Sequence, residues 1–248
     1  MNIGAQLYTV RDYCKTAQDL SLTLKKIADI GYRYVQVSGT CEYDAAWLKG
    51  ELDKNGLSCV ITHIPSKKLT EALDKVIEDH RTLLCDNIGL GYYSFDPVRE
   101  KYDAFCSTYK QVAEKISEGG KYFMYHNHAG EFQKLGDKTV IERLAEDFDA
   151  SHMGFTLDTY WVQVGGANPA DMIETLSGRV PCIHLKDYAY QQKMAVVGEG
   201  NINFDRVFKK AERAGVKYML VEQDDCGGED PFECLRRSYA FLRSRGFE

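Results

Sequence analysis

No run of about 18 apolar residues occurs in this chain, which leaves no candidate membrane span. No basic segment followed by a long apolar core and a cleavage site precedes MNIGAQLYTV, so no secretory signal is expected and the expected location is the cytoplasm. A basic surplus is also lacking. Lys and Arg number 31 against 37 Asp and Glu, a net charge of −6. That balance argues against general binding to nucleic acid or anionic membrane, both of which favour basic patches. None of the eight cysteines falls in a CxxC pair, which argues against a cysteine zinc site and leaves reduced thiols, several of them expected to be buried. No linker or low-complexity segment divides the 248 residues, a length that fits one domain over residues 1–248.

What is present is an alternation of short β-rich runs with longer amphipathic ones. Strands are predicted over 3–7, 34–37, 58–64, 86–91, 122–126, 153–157, 180–185 and 218–221. Helices are predicted between and after them. Leu20, Leu24, Ile27 and Ala28 recur at helical spacing over 17–30, and Gly31 stops that helix. A second helix over 44–55 stops at Gly56. Ser66 is expected to cap a third, running to about His80. Asp96-Pro97 and Asn168-Pro169 each read as a cap followed by a first-turn proline. Further helices are predicted over 137–148, 204–214 and 231–244. Eight strands alternating with eight helices predict an α/β fold, a (β/α)8 TIM barrel in one domain. The competing doubly wound sheet usually carries a Gly-rich phosphate loop after its first strand, and none is found there.

Four potential metal ligands, Glu131, Asp158, His184 and Glu222, lie at or just past the ends of predicted strands, 27, 26 and 38 residues apart. Dividing 248 residues by eight gives 31, so this spacing matches consecutive strand–helix units and brings the four to one rim. Singly, each carboxylate could be a helix cap and the histidine a core residue. Together, at the ends of four consecutive strands, they predict a metal site. Three carboxylates and an imidazole form an oxygen-rich set suited to Mn2+ or Mg2+ rather than structural zinc.

The motifs of the chain resemble those of the sugar phosphate isomerase/epimerase superfamily of xylose isomerase-like barrels. The resemblance rests on Gln6–Asp12, on Tyr125-His126-Asn127-His128-Ala129-Gly130-Glu131-Phe132, and on Leu157-Asp158-Thr159-Tyr160-Trp161. It extends to His184-Leu185-Lys186-Asp187, Gly198-Glu199-Gly200 and Val221-Glu222-Gln223-Asp224. It implies that Glu131, Asp158, His184 and Glu222 bind a divalent metal, Mn2+ preferred, with Mg2+, Co2+ or Zn2+ as alternatives. It also implies a small-molecule sugar substrate. Isomerising or epimerising a keto-sugar requires removal of a proton beside a carbonyl, and a bound cation stabilises the resulting enediolate. Glu131 and Glu222 are expected to serve as the acid/base pair, as the equivalent pair does in the family. Asp158 and His184 then only position the metal, with Asp187 or a backbone carbonyl orienting His184.

His63, His126, His128, Lys186, Trp161, Glu199 and Gln6 are expected substrate contacts, since each lies at a strand end or in a loop after one. The structural alternatives are a hydrogen-bonded His63, a salt bridge from Lys186 to Asp158 or Asp187, a Trp161 covering the barrel top, and a Glu199 bracing its loop. An inosose dehydratase-like lyase would use the same enolate and then expel a hydroxyl. An endonuclease-IV-like enzyme would need more metal ligands and a basic surface. A sugar-binding protein or partner subunit without catalysis is the reading from a different class. With short loops, the mouth is expected either to stay open or to be covered by another subunit of a homo-oligomer.

Overall fold

Eight short strands pair side by side and in parallel until the last meets the first. A computed structural model describes residues Met1–Glu248. Its strands are β1 (Asn2–Gln6), β2 (Tyr34–Val37), β3 (Ser58–His63), β4 (Asn87–Leu90), β5 (Tyr122–His126), β6 (Met153–Asp158), β7 (Cys182–Leu185) and β8 (Tyr218–Val221). Each hydrogen-bonds to its sequence neighbours, and β8 pairs with β1, so the sheet closes into a barrel without an edge. The helices around it are α1 (Ala17–Ile30), α2 (Ala45–Lys54), α3 (Ser66–Glu71), α4 (Leu73–Thr82) and α5 (Val98–Glu118). They continue with α6 (Val140–Asp147), α7 (Thr159–Val164), α8 (Pro169–Thr175), α9 (Phe204–Ala214) and α10 (Pro231–Ser244). This is a single-domain (β/α)8 barrel. No helix is long and apolar enough to cross a membrane.

The period-two geometry of a strand sorts its side chains between two cores. One set meets the helices in a large hydrophobic layer. The other points inward, where Val60, Ile61, Met124, Cys182 and Leu220 pack with Tyr34, Tyr122 and Tyr218. Gly4 belongs to the crowded interior. A Cβ there would lie 2.6 Å from the Tyr34 carbonyl oxygen and 2.8 Å from Leu220. Two residues further along three of the same strands, the apolar inward series turns polar: Met124 is followed by His126, Cys182 by His184, and Leu220 by Glu222. The barrel's packing therefore carries these groups to its C-terminal mouth.

Several boundaries differ from the sequence expectation. The helix expected over 66–80 breaks at Ala72, whose φ of −139° and ψ of 33° leave the helical region. Ser66 does not cap it; its hydroxyl meets the Tyr109 hydroxyl at 2.7 Å. The helix expected at Asp96-Pro97 starts at Val98, because Pro97 is extended. Residues 134–139 form a small antiparallel hairpin, so α6 starts only at Val140, where Thr139 and Glu142 form a capping box. A second hairpin, Asp187–Ala189 with Lys193–Ala195, follows the C-terminal end of β7, and α7 is an additional short helix. The Asn168-Pro169 start holds, with Asn168 accepting from the backbone N–H groups of Ala170 and Asp171.

His80 links α4 to the barrel. Its Nδ1 donates to the Val76 carbonyl at 2.7 Å and its Nε2 meets the Thr62 hydroxyl at 2.8 Å. Burial pushes its pKa down to about 4, against the opposing pull of the Val76 carbonyl. The unfolded chain takes up this proton at about pH 6.5 and the folded chain only near pH 4. The stability this neutral ring contributes is therefore complete above pH 6.5 and is lost as pH falls toward 4. The loss is worth roughly 3 kcal/mol. Urea unfolding at several pH values is expected to show this decline in wild type and a shallower one in His80→Gln. Equal slopes would remove His80 as its source.

Candidate metal centre and active-site mouth

Four buried groups converge where the inward series ends: His126, Asp158, His184 and Glu222, each offering one atom within 4.8 Å of the other three. Strand register sets this meeting. Asp158 on β6 is level with His184 on β7, which is level with Leu220 on β8, and Glu222 follows two residues later on the same face. His126 on β5 is level with Thr156, two residues before Asp158.

Each imidazole is oriented by the nitrogen that faces away from the cluster. His184 Nε2 donates to Gln36 Oε1 at 2.6 Å, which leaves Nδ1 as the free lone pair. His126 Nδ1 donates to the Gly91 carbonyl at 3.0 Å, which leaves Nε2 free, 3.3 Å from Asp158 Oδ2. Asp158 divides its carboxylate. Oδ1 caps α7 by accepting from the Trp161 N–H at 3.0 Å, while Oδ2 faces the cluster. His184 Nδ1 and Glu222 Oε2 approach to 2.8 Å, yet neither makes a well-formed hydrogen bond and both are buried. Two lone-pair-bearing atoms aimed into one dry space fit a shared cation. The donor set, two imidazole nitrogens and two carboxylate oxygens, suits a divalent transition metal.

Lys186 supplies the permanent positive charge. Its Nζ lies 3.1 Å from Asp158 Oδ2, 3.1 Å from Glu222 Oε2 and 2.9 Å from Asp224 Oδ2, with the side chain 1% exposed. Burial alone would raise the Glu222 and Asp158 pKa values; the Lys186 ammonium outweighs it and holds both well below the usual carboxylate range. Burial alone would lower that of His184, but the Glu222 and Asp158 carboxylates raise it to about 9. Asp224 is pushed up to about 6 by burial and by the charge of Glu222. Metal binding would displace the His184 proton; three carboxylates against the one Lys186 ammonium then leave a deficit of two charges, which one divalent cation would balance.

The structure brings Asp158, His184 and Glu222 together as the sequence suggested, but not Glu131. That residue is 1% exposed in the turn after β5. Its Oε1 accepts from the Tyr125 hydroxyl and its Oε2 from the His128 N–H at 2.9 Å. The side chain is consumed by a capping box, and His126 stands in the cluster instead. Burial pushes the Glu131 pKa up, against these hydrogen bonds.

The expected contacts divide in the same way. His63 and His128 line the mouth with Lys186. Trp161 packs behind, 5.1 Å from the His128 ring. Gln6 is buried and accepts from the Tyr8 N–H, and Glu199 is exposed and pairs with Arg237 at 2.9 Å. Asp187 does not reach His184. It gathers the N–H groups of Tyr188, Gly198, Gly200 and Ile202 and so fastens the loop after β7.

The mouth is a cavity of about 470 Å3 to which Tyr8, Ser38, Tyr92 and Asp224 also contribute. Tyr8 and Asp224 lie within the family-like motifs, but neither they nor Ser38, Tyr92 and Gln36 are assigned a site role by the sequence alone. Gln36 had a usable signal, a lone polar residue inside the Tyr34–Val37 strand. β4 stands opposite β8 in the ring, so β3 and β5 carry His63 and His128 to the far side from Glu222 and Asp224. All four have a buried side-chain atom without a hydrogen bond: His63 Nε2, His128 Nδ1, Glu222 Oε2 and Asp224 Oδ1. Burial, followed by the neighbouring His126 ring, pushes the His128 pKa down to about 3 and that of His63 well below the usual range.

Residues 24–245 match the family model described as xylose isomerase-like TIM barrel. The chain belongs to that family. Among xylose isomerase-like proteins, the inosose dehydratase of Geobacillus thermodenitrificans is 24% identical over 166 residues, covering 58% of this chain and 54% of that protein. The match thus spans about half the length of that relative. A sugar phosphate isomerase/epimerase from Parabacteroides distasonis superimposes with a TM-score of 0.82 at 23% identity, covering 98% of this chain and 93% of the other. An L-ribulose 3-epimerase gives 0.77 at 16% identity, covering 98% and 94%. At these identities the structural likeness establishes the fold.

Calorimetric titration of chelator-stripped protein with Mn2+ is expected to give one site per chain. His126→Ala should weaken it more than about 100-fold and Gln36→Leu, which frees the ring of His184, by about 10–100-fold. Glu131→Gln should bind near the wild-type level. Loss of binding in Glu131→Gln with retention in His126→Ala would reverse the assignment.

Proposed function

We propose that this protein is a metal-dependent isomerase or epimerase that enolises a keto-sugar at the barrel mouth. The observation that carries the reading is the convergence of two imidazole nitrogens, fixed as lone-pair donors by Gln36 and Gly91, with one oxygen each of Asp158 and Glu222. Mn2+ is the preferred ion, with Co2+ or Zn2+ as substitutes. The second imidazole makes the site less suited to Mg2+ than three carboxylates would have been.

A divalent cation, when bound, supplies positive charge beside the substrate oxygens and lowers the cost of enolisation. The chain's own groups handle the proton. Glu222, kept ionised by Lys186, takes it from the carbon beside the carbonyl. Delivery from Glu222 to the neighbouring carbon isomerises the sugar, whereas inversion of the centre requires a solvent proton on the opposite face, beside the neutral His63 and His128 rings, with Glu222 returning its own proton to solvent. The second proton-carrying role expected of Glu131 is left to solvent at the mouth, because Glu131 is held by the Tyr125 hydroxyl and the His128 N–H. Asp158 and His184 hold position, and Lys186 keeps both carboxylates charged.

A dehydratase is the second reading, supported by the similarity to the inosose dehydratase. It shares the first proton abstraction and diverges when a hydroxyl leaves instead of a proton returning. Stripped and Mn2+-loaded protein incubated with D-fructose, L-ribulose and an inosose in D2O separates the two. Metal-dependent deuterium incorporation beside the ketose carbonyl is expected, reduced about 10²–10⁴-fold in Glu222→Gln. Water loss from the inosose without ketose exchange would replace the isomerase reading with the dehydratase. Loaded protein inert toward all three sugars would contradict both.

A further inference from the structure

A second cavity of about 300 Å3 adjoins the mouth and shares Ser38, His63, Ile64 and Pro65 with it. It lies between the loops after β2 and β3, floored by Val76 and Leu83 and walled by Thr40 and Tyr43. We propose that it is a subsite for a second ring, and that the substrate is a keto-sugar carrying a neutral glycosyl substituent rather than a free or phosphorylated monosaccharide. This rests on the sugar-enolising reading above and deepens it.

Size is the first argument. At about 470 Å3 the mouth alone is within the range of pockets that enclose a whole small ligand, roughly 300–1,000 Å3. A single sugar held over the four-residue cluster leaves the adjoining space unused. The partition between the two spaces is His63. Its Nδ1 is 3.3 Å from the Ser38 hydroxyl, and its Nε2 is buried without a partner. Gly91 allows the ring its position, since a Cβ there would sit 2.7 Å from His63 Nδ1. A residue with one unpartnered, buried ring nitrogen thus lines both cavities, a polar group that a ligand spanning two rings could engage by a small turn of the ring.

Charge is the second argument. Lys68 in the second cavity is held by Glu42 at 2.6 Å, and Asp79 is paired with Lys75. In the mouth, Lys186 is shared by three carboxylates, and Arg11 at the rim donates to the carbonyls of Tyr8 and Asp224. Every one of these cations is already engaged, so a phosphate dianion would meet no free partner. A neutral ring with hydroxyls matches walls that offer hydroxyls, an imidazole and apolar faces. Tyr8 and Tyr92, 38% and 62% exposed, add aromatic surface at the entrance.

Calorimetric binding to the Mn2+-loaded protein tests this without requiring turnover. The probes are D-fructose and three disaccharides, lactulose, turanose and isomaltulose, which carry a neutral ring on different hydroxyls of fructose. At least one disaccharide is expected to bind about tenfold or more tighter than fructose. Thr40→Trp and, separately, Lys68→Trp, each checked for folding by circular dichroism, should bring that ratio to about one. Equal binding of all four sugars, absence of binding, or a ratio that survives both substitutions would overturn the subsite. Tight disaccharide binding with no deuterium exchange would keep the subsite and reject enolisation. Exchange on fructose with no disaccharide preference would do the reverse.

Discussion

Neutralising two buried carboxylates is the constraint on which the rest of the mouth depends. Asp158 and Glu222 are 0% and 4% exposed, so water cannot solvate them. Removing one partner from a buried ion pair typically costs about 3–5 kcal/mol, because the other charge is left stranded. Lys186 meets part of the demand. It is itself buried and shared with Asp224, so the remainder is left to a protonated His184 or to a cation that the cluster could hold. Gln36, the Gly91 carbonyl and the Trp161 N–H then act together: each engages the side of a cluster residue that points away from the centre.

The surrounding loops serve that arrangement without entering it. Thr159 Oγ1 donates to the Lys186 carbonyl at 2.7 Å and accepts from the Lys186 N–H at 3.0 Å, which fixes the chain from which the ammonium reaches inward. Asn127 Oδ1 accepts from the Asp158 N–H at 3.0 Å and so ties β5 to β6 directly beneath the cluster. Asp187 fastens the loop after β7 through four backbone N–H groups. The candidate metal ligands therefore sit at the ends of β5 to β8, while the cavities open toward β2, β3 and β4. Under the proposed function, reaction class and substrate choice would fall to different arcs of one barrel, the division expected where loops vary over a constant scaffold.

The barrel was legible because its two periodicities, 2 and 3.6, alternate cleanly along the chain. His184 and Glu222 were legible for a related reason: each directly continues an inward-facing apolar series, and Asp158, level with His184 at the end of its strand, is carried to the same mouth by register. Glu131 was not, because it lies beyond the strand. Its direction is set by the turn Ala129–Phe132 and by local hydrogen bonds to Tyr125 and His128, which no periodicity encodes. His126, by contrast, ends β5 on the same face as Met124, so strict alternation favours it over Glu131. The place of Tyr8 and Asp224 in the mouth was not legible, although both lie in the family-like motifs, because a short 3-10 turn and a loop, respectively, carry them.

The central claim is that His126, and not Glu131, completes the metal site with Asp158, His184 and Glu222. Anomalous diffraction from Mn2+-soaked crystals tests it most directly. The account predicts one strong peak bounded by His126 Nε2, Asp158 Oδ2, His184 Nδ1 and Glu222 Oε2, with Glu131 still bonded to Tyr125. A peak coordinated by Glu131, with His126 turned away from it, would contradict the account.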